Sequence, residues 1–158
     1  MTRKVATSGF PNRFVIFNAQ NLPKLLSMTG PFKRLAYIYI GCEDFEKDKK
    51  FYGEALGARL VWEFHEFGAN VAAFDLGSEP YLLIADHVKP PSKRLIYEVD
   101  DLTKAIKELK SRGWKADGGR FEVPDGPCVN FKDPSGNEYA LMEAVRPHIL
   151  EGEFRKPR

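Results

Sequence analysis

Apolar and polar positions change period along this chain in an order that is used twice. Ile38, Ile40 and Cys42 alternate with Tyr37, Tyr39 and Gly41, the period of two that a strand requires. Asp44 then stands where a helix N-cap accepts free N–H groups. Phe45, Tyr52 and Leu56 fall on one helical face, and Gly57 supplies a left-handed stop. The same order recurs about 57 residues later. Leu95, Tyr97 and Val99 alternate with Arg94, Ile96 and Glu98, Asp101 caps, Leu102, Ala105, Ile106 and Leu109 form the stripe, and Gly113 ends the helix. Three strand-like runs broken by turn residues follow each helix: Arg59–Glu66, 70–76 and Tyr81–Ala85, then 115–123, 128–132 and Glu138–Glu143. In "DPSGN", residues 133–137, Pro134 fixes φ and Gly136 takes a positive φ, which predicts a hairpin turn.

The predicted order is strand–helix–strand–strand–strand, twice. This is an α+β class, with two βαβββ modules, 32–87 and 93–146, in one domain spanning 32–146. One module alone covers one face of its sheet and is of marginal size for independent folding. Two modules set edge to edge curl into a continuous concave mixed sheet, with helices outside and a pocket inside. Residues 1–31 are expected to be a flexible extension outside the core, and 147–158 a loose polar tail. The extension has two readings. Residues 1–42 contain no Asp or Glu but carry Arg3, Lys4, Arg13, Lys24, Lys33 and Arg34, which suits a targeting leader. A start at Met28, preceded by non-structural sequence, is the simpler reading, because no strongly amphipathic pattern is present.

Composition narrows the function classes. The chain has 158 residues, 43% hydrophobic and 29% charged, with a net charge of +2. No global field calls for nucleic acid, and no apolar run reaches the roughly 20 residues of a membrane helix. Two distant cysteines, Cys42 and Cys128, make a disulfide framework a poor expectation and a cytoplasmic location the simplest one. Cys42 falls on the helix-facing side of its strand; Cys128 is unassigned. His65, His87 and His148 are expected at the surface.

Three stretches, "EDFEKDKKFYGEALGA", "YEVDDLTKAIKELKSRG" and "FKDPSGNEYALME", together with the duplicated layout, resemble the vicinal oxygen chelate superfamily of glyoxalase I, bleomycin-resistance proteins and extradiol dioxygenases. The resemblance implies a divalent metal at the centre of the cup, Zn, Ni, Fe or Mn, acting as a Lewis acid. Its ligand positions, carried over by offset, are Tyr37, seven residues before Asp44, Leu83 on the fourth strand, Arg94, seven before Asp101, and Glu143 at the end of the last strand. Only Glu143 is a usual ligand. Arg94 is cationic and has no acceptor, so no cofactor is expected, and a metal on a non-standard set such as His65, Tyr37 and Glu143 is the alternative.

The expected ligand-binding residues are Tyr37, Tyr39, Arg94, Glu98, Phe131 and Glu143, with an Arg94–Glu143 ion pair standing in for the metal's charge. For Tyr37 and Tyr39, pocket lining and ordinary sheet packing are both open. Arg94 either meets an anionic ligand or closes a salt bridge with Glu143 or Glu98. The leading expectation is a metal-free protein that binds or sequesters an aromatic or anionic small molecule, as a homodimer, without nucleic acid or membrane. The alternatives are a metal-dependent lyase, isomerase or dioxygenase resembling glyoxalase I, and a non-catalytic protein built for subunit association.

Overall fold

A computed structural model describes residues 30–154; the expectations for residues 1–29 lie outside them. The first module contains β1 (Phe32–Gly41), α1 (Phe45–Lys50), β2 (Arg59–Glu66), β3 (Ala69–Asp75) and β4 (Tyr81–Ala85). The second contains β5 (Lys93–Val99), α2 (Leu102–Ser111), β6 (Arg120–Val123), β7 (Gly126–Lys132) and β8 (Glu138–Glu143). A short helix, α3 (Ile149–Glu153), follows. No helix among the described residues is long and apolar enough to cross a membrane.

All eight strands form one sheet in the order β2-β3-β4-β1-β5-β8-β7-β6. β1 runs parallel to β4 and β5 parallel to β8, and the two modules join through antiparallel pairing of β1 with β5. The edge strands β2 and β6 line one cavity from opposite sides, so the sheet is curled. This is the predicted βαβββ duplication and its concave mixed sheet.

Strand alternation divides the core in two. Outside, Cys42, Phe45, Ala58, Ala72, Phe74, Leu82 and Ile84 pack around α1. Val99, Leu102, Ala105, Ile106, Leu109, Val129 and Leu141 pack around α2. Inside, Val61, Trp62, Val71, Ala73, Leu83 and Ala85 form one cluster, and Ala36, Cys128 and Met142 another. Cys42 sits where the sequence placed it, against the helix.

The caps form as predicted. Asp44 accepts from the Lys47 N–H at 3.0 Å and Asp101 from the Lys104 N–H at 2.8 Å. The "DPSGN" turn is knit by Asp133, which accepts from the backbone N–H groups of Ser135 and Asn137 and from the Asn137 amide.

Two expectations change. The first helix does not keep its period: Phe51–Ala55 widens into a π turn. The extra residue per turn rotates Leu56 off the stripe, leaving it 54% exposed, while Tyr52 still packs on Phe74 with ring centroids 5.6 Å apart. The tail, expected to be polar and loose, folds back as far as it is described. Leu150, at 5% exposure, joins the inner cluster with Ile149 and Phe154 packed beside it.

The α2 N-terminus has a second acceptor. Glu143, at the end of β8, accepts from the Leu102 N–H through Oε2 at 2.9 Å. Glu143→Ala should cost about 1–2 kcal/mol of stability, read as a lower urea midpoint at unchanged m-value, with the cavity described below unaffected. An unchanged midpoint would show that Asp101 alone suffices.

Candidate functional site

The concave face holds a cavity of about 560 Å³. Its walls are mostly apolar: Tyr37 and Tyr39 from β1, Trp62 and Phe64 from β2, Leu83 from β4, Ile96 from β5 and Met142 from β8. Phe121 and Val123 close one flank, and Ile149, Leu150 and Phe154 of the C-terminal segment roof it. Phe64 and Phe154 meet edge to face at 5.3 Å, which fixes the roof to the sheet edge.

The β1–β5 register places Tyr37 opposite Ile96 and Tyr39 opposite Arg94. The Tyr37 hydroxyl donates to Asp125 Oδ2 at 3.0 Å. Burial, reinforced by the Asp125 charge, raises the Tyr37 phenol far above its usual range. Burial also raises Tyr39, with Arg94 opposing, and its hydroxyl shares a hydrogen bond with His87 Nε2 at 3.2 Å. Cys128 is pushed up to about 12, by burial first and the nearby Asp125 and Glu122 charges next, so it stays a thiol and is no nucleophile.

Asp125 belongs to the Pro124–Asp125 turn between β6 and β7 and is 4% exposed. Its carbonyl accepts from the Arg146 N–H at 2.9 Å. The next residue, Gly126, has φ 154°, and a Cβ there would collide with the Glu143 carbonyl oxygen, so only glycine lets this turn close over β8. Burial raises the Asp125 carboxyl and the Glu151 charge adds to this; the Tyr37 hydrogen bond opposes.

Four buried polar atoms on residues lining the cup have no partner: Trp62 Nε1, Arg94 Nε, Asp125 Oδ1 and Asn130 Oδ1. Two are donors and two are acceptors. A buried polar atom without a partner costs on the order of 1–3 kcal/mol, which bound water or a ligand would recover.

The sequence-predicted residues divide by face. Tyr37, Tyr39, Leu83 and Arg94 come together in the cup. Glu143 does not, because β8 turns Leu141 and Glu143 toward α2 and Ala140 and Met142 inward. The expected Arg94–Glu143 pair is therefore absent. Arg94 Nη2 instead donates to Glu138 Oε2 at 3.2 Å, the residue opposite it in the β5–β8 register. Phe131 also lies outside, stacked on Tyr139 at 5.0 Å and edge-on to Trp114. Glu98 lies beyond the cup, held by Lys33 and Arg34 at 2.8 Å each. Burial would raise its carboxyl, but those two cations outweigh burial and lower it.

The fit to a divalent ion fails on donor chemistry. Tyr37 holds its proton, Leu83 has no donor atom, Arg94 repels a cation, and Glu143 faces the other way. His65 packs edge-on to Phe45 at 5.8 Å on the α1 side, so His65, Tyr37 and Glu143 do not share a face. Among the described residues no group of three His, Cys, Asp or Glu is placed to hold a metal.

Sequence reasoning missed Trp62, Asp125, Asn130 and the roof. A register shift between Leu60 and Trp62 breaks the alternation that would have assigned Trp62. Asp125 sits in "VPDGPC", where aspartate reads as turn chemistry.

The protein-family model described as "Glyoxalase/Bleomycin resistance protein/Dioxygenase superfamily" matches residues 34–141. The uncharacterized protein YetH of Bacillus subtilis (strain 168) is 24% identical over 119 residues, covering 70% of this chain and 98% of YetH. Methylmalonyl-CoA epimerase from Mycobacterium tuberculosis superposes with TM-score 0.63 at 17% identity, covering 74% of this chain and 91% of that one. The Streptomyces coelicolor methylmalonyl-CoA epimerase (E43Q) in complex with 2-nitronate-propionyl-CoA superposes at 0.58 with 14% identity, covering 72% and 99%. At these identities the structural likeness establishes the fold alone.

Asp125 gives a pH signature. Its folded pKa is raised, so the native state holds the proton more tightly than the unfolded chain does. That contribution is complete below the ordinary carboxylate value near 4 and is lost as pH rises through the folded value. Asp125→Asn keeps an acceptor for Tyr37 and cannot ionise. The melting temperature of the wild type should therefore fall relative to the variant as pH rises from about 4 toward neutrality. A difference that stays flat or grows in the wild type's favour would show that the carboxyl is not buried.

Proposed function

Because the chain belongs to the glyoxalase/bleomycin resistance protein/dioxygenase superfamily, we propose that its concave face binds a small organic molecule with a flat apolar body and an oxygen-bearing end. The supporting observation is the cup itself: an aromatic-walled cavity of about 560 Å³ whose lining includes four residues that each carry a buried polar atom without a partner. Tyr37, Tyr39, Trp62 and Phe64 supply ring faces and edges. The unpartnered Arg94 Nε and Trp62 Nε1 would donate to a carboxylate or carbonyl oxygen, and Asn130 Oδ1 would accept from a hydroxyl or amide. Binding with sequestration needs nothing more.

A metal-dependent lyase, isomerase or dioxygenase activity is the competing reading. It needs a ligand group that the described residues do not assemble, so no catalytic step is derived from it. A methylmalonyl-CoA epimerase of the same fold has been solved in complex with methylmalonyl-CoA; for this chain a carboxylate-bearing acyl group is one member of the ligand class above. Homodimer formation in the cytoplasm also remains part of the proposal.

The two tryptophans provide the assay, since Trp62 lines the cup and Trp114 packs outside the sheet against Phe131. An aromatic carboxylate such as naphthoate should change tryptophan fluorescence and raise the melting temperature in the wild type and in Trp114→Phe. Trp62→Phe should lose the fluorescence change and, without the indole donor, show a smaller thermal shift. Arg94→Ala should weaken naphthoate about tenfold or more while sparing a neutral naphthalene analogue. If stabilisation instead required added Zn, Ni, Fe or Mn and vanished with chelator, the competing reading would replace this one.

A further inference from the structure

A second cavity of about 440 Å³ adjoins the cup, and Tyr37, Asp125 and Met142 line both. Its walls carry Lys33, Arg34, Glu79, Glu98, His148 and Glu151. The cations here are committed. Lys33 pairs with Glu98 and Asp100, and Arg34 with Glu98 and Glu79. Arg146, on the neighbouring segment, pairs with Glu122 and donates to the carbonyls of Val123 and Pro124. Two carboxyl groups are left over. Asp125 has one oxygen satisfied by the neutral Tyr37 hydroxyl and Oδ1 buried with nothing to accept from. Glu151, brought in by α3, has Oε2 buried in the same condition. His148 borders the chamber but makes neither a hydrogen bond nor an ion pair with either of them.

The Glu151 charge disfavours ionisation of Asp125, and both residues line the second cavity. The charges of His148 and Arg146 partly offset this, but neither side chain bonds Asp125 Oδ1 or Glu151 Oε2, and a buried carboxylate oxygen without a hydrogen-bond partner is costly. A metal ion is a poor answer, because no third His, Cys, Asp or Glu completes a ligand group. An ammonium suits the gap better. It carries one charge and three N–H donors, enough for Oδ1, Oε2 and one more acceptor.

We propose that the wall formed by Asp125 and Glu151 receives a primary ammonium group of the small molecule whose apolar body fills the cup. This rests on the cup being a binding site and adds the chemical class of its ligand: an aromatic or amphipathic amine. Asp125 stands on the boundary between the two cavities, so a short arm from a ring in the cup reaches it. Glu151 lies on the roof segment, so the ammonium also ties the roof to the β6–β7 turn. A quaternary ammonium neutralises the charge but donates no hydrogen bond, so it binds less well than the primary amine.

The test is calorimetric titration of the full chain at neutral pH with naphthylmethylamine, its trimethylammonium counterpart and naphthylmethanol. The amine should bind about 10- to 100-fold more tightly than the alcohol, with the quaternary compound between them. Glu151→Gln and Asp125→Asn, checked for folding by their melting curves, should each bring the ratio of amine to alcohol affinity close to one. Equal binding of amine and alcohol by the wild type, or a preference untouched by both substitutions, overturns the ammonium site but leaves the cup standing. Failure of all three compounds together with naphthoate overturns the cup reading and the ammonium site with it.

Discussion

The antiparallel pairing of β1 with β5 is the constraint on which the rest depends. It joins two modules whose sheets would each end in an open edge. It also fixes the register that sets Tyr39 opposite Arg94 and Tyr37 opposite Ile96. Because side chains alternate, that register from Tyr37 onward decides the inward residues of both central strands together. A slip by one position on β1 would send Tyr37 and Tyr39 to the helices and Ile38 and Ile40 to the cup.

The fold was legible because its signals are local and repeated. Asp44 and Asp101 cap, Gly57 and Gly113 stop at φ 66° and 88°, and "DPSGN" turns. Tyr37 and Arg94 were reachable by the same logic, as equal offsets from two caps. Glu143 was not, because "EYALME" is apolar on both faces, and a period of two then gives no sign of which face is inside. Phe131 failed for the same reason, since β7 buries Cys128 inward and Val129 outward. Trp62 was hidden by a bulge. The roof was hidden by brevity, for five helical residues carry too little periodicity to stand out from a polar tail.

Charge in the interior is arranged by exclusion. Lysine and arginine side chains around the second cavity are drawn to its rim by Glu98, Glu79 and Glu122, and Arg94 is partly drawn off by Glu138. What remains around the hollows is half-satisfied: a guanidinium Nε, one indole N–H, an amide oxygen and single oxygens of two carboxyl groups. Such groups are more selective than strong fixed pairs, because an incoming molecule is rejected for the partners it lacks.

The curled sheet is an incomplete cylinder. Its terminal strands β2 and β6 look at each other across the hollow without sharing a ladder, and only the packed apolar side chains of a short helix span part of the interval. A closed barrel has its girth set by backbone hydrogen bonds. Here the circumference can open or tighten by flexing the twist of each module about the central seam, with no ladder broken. The diameter of the hollow is thus set by side-chain packing and strand twist rather than by a closed ladder.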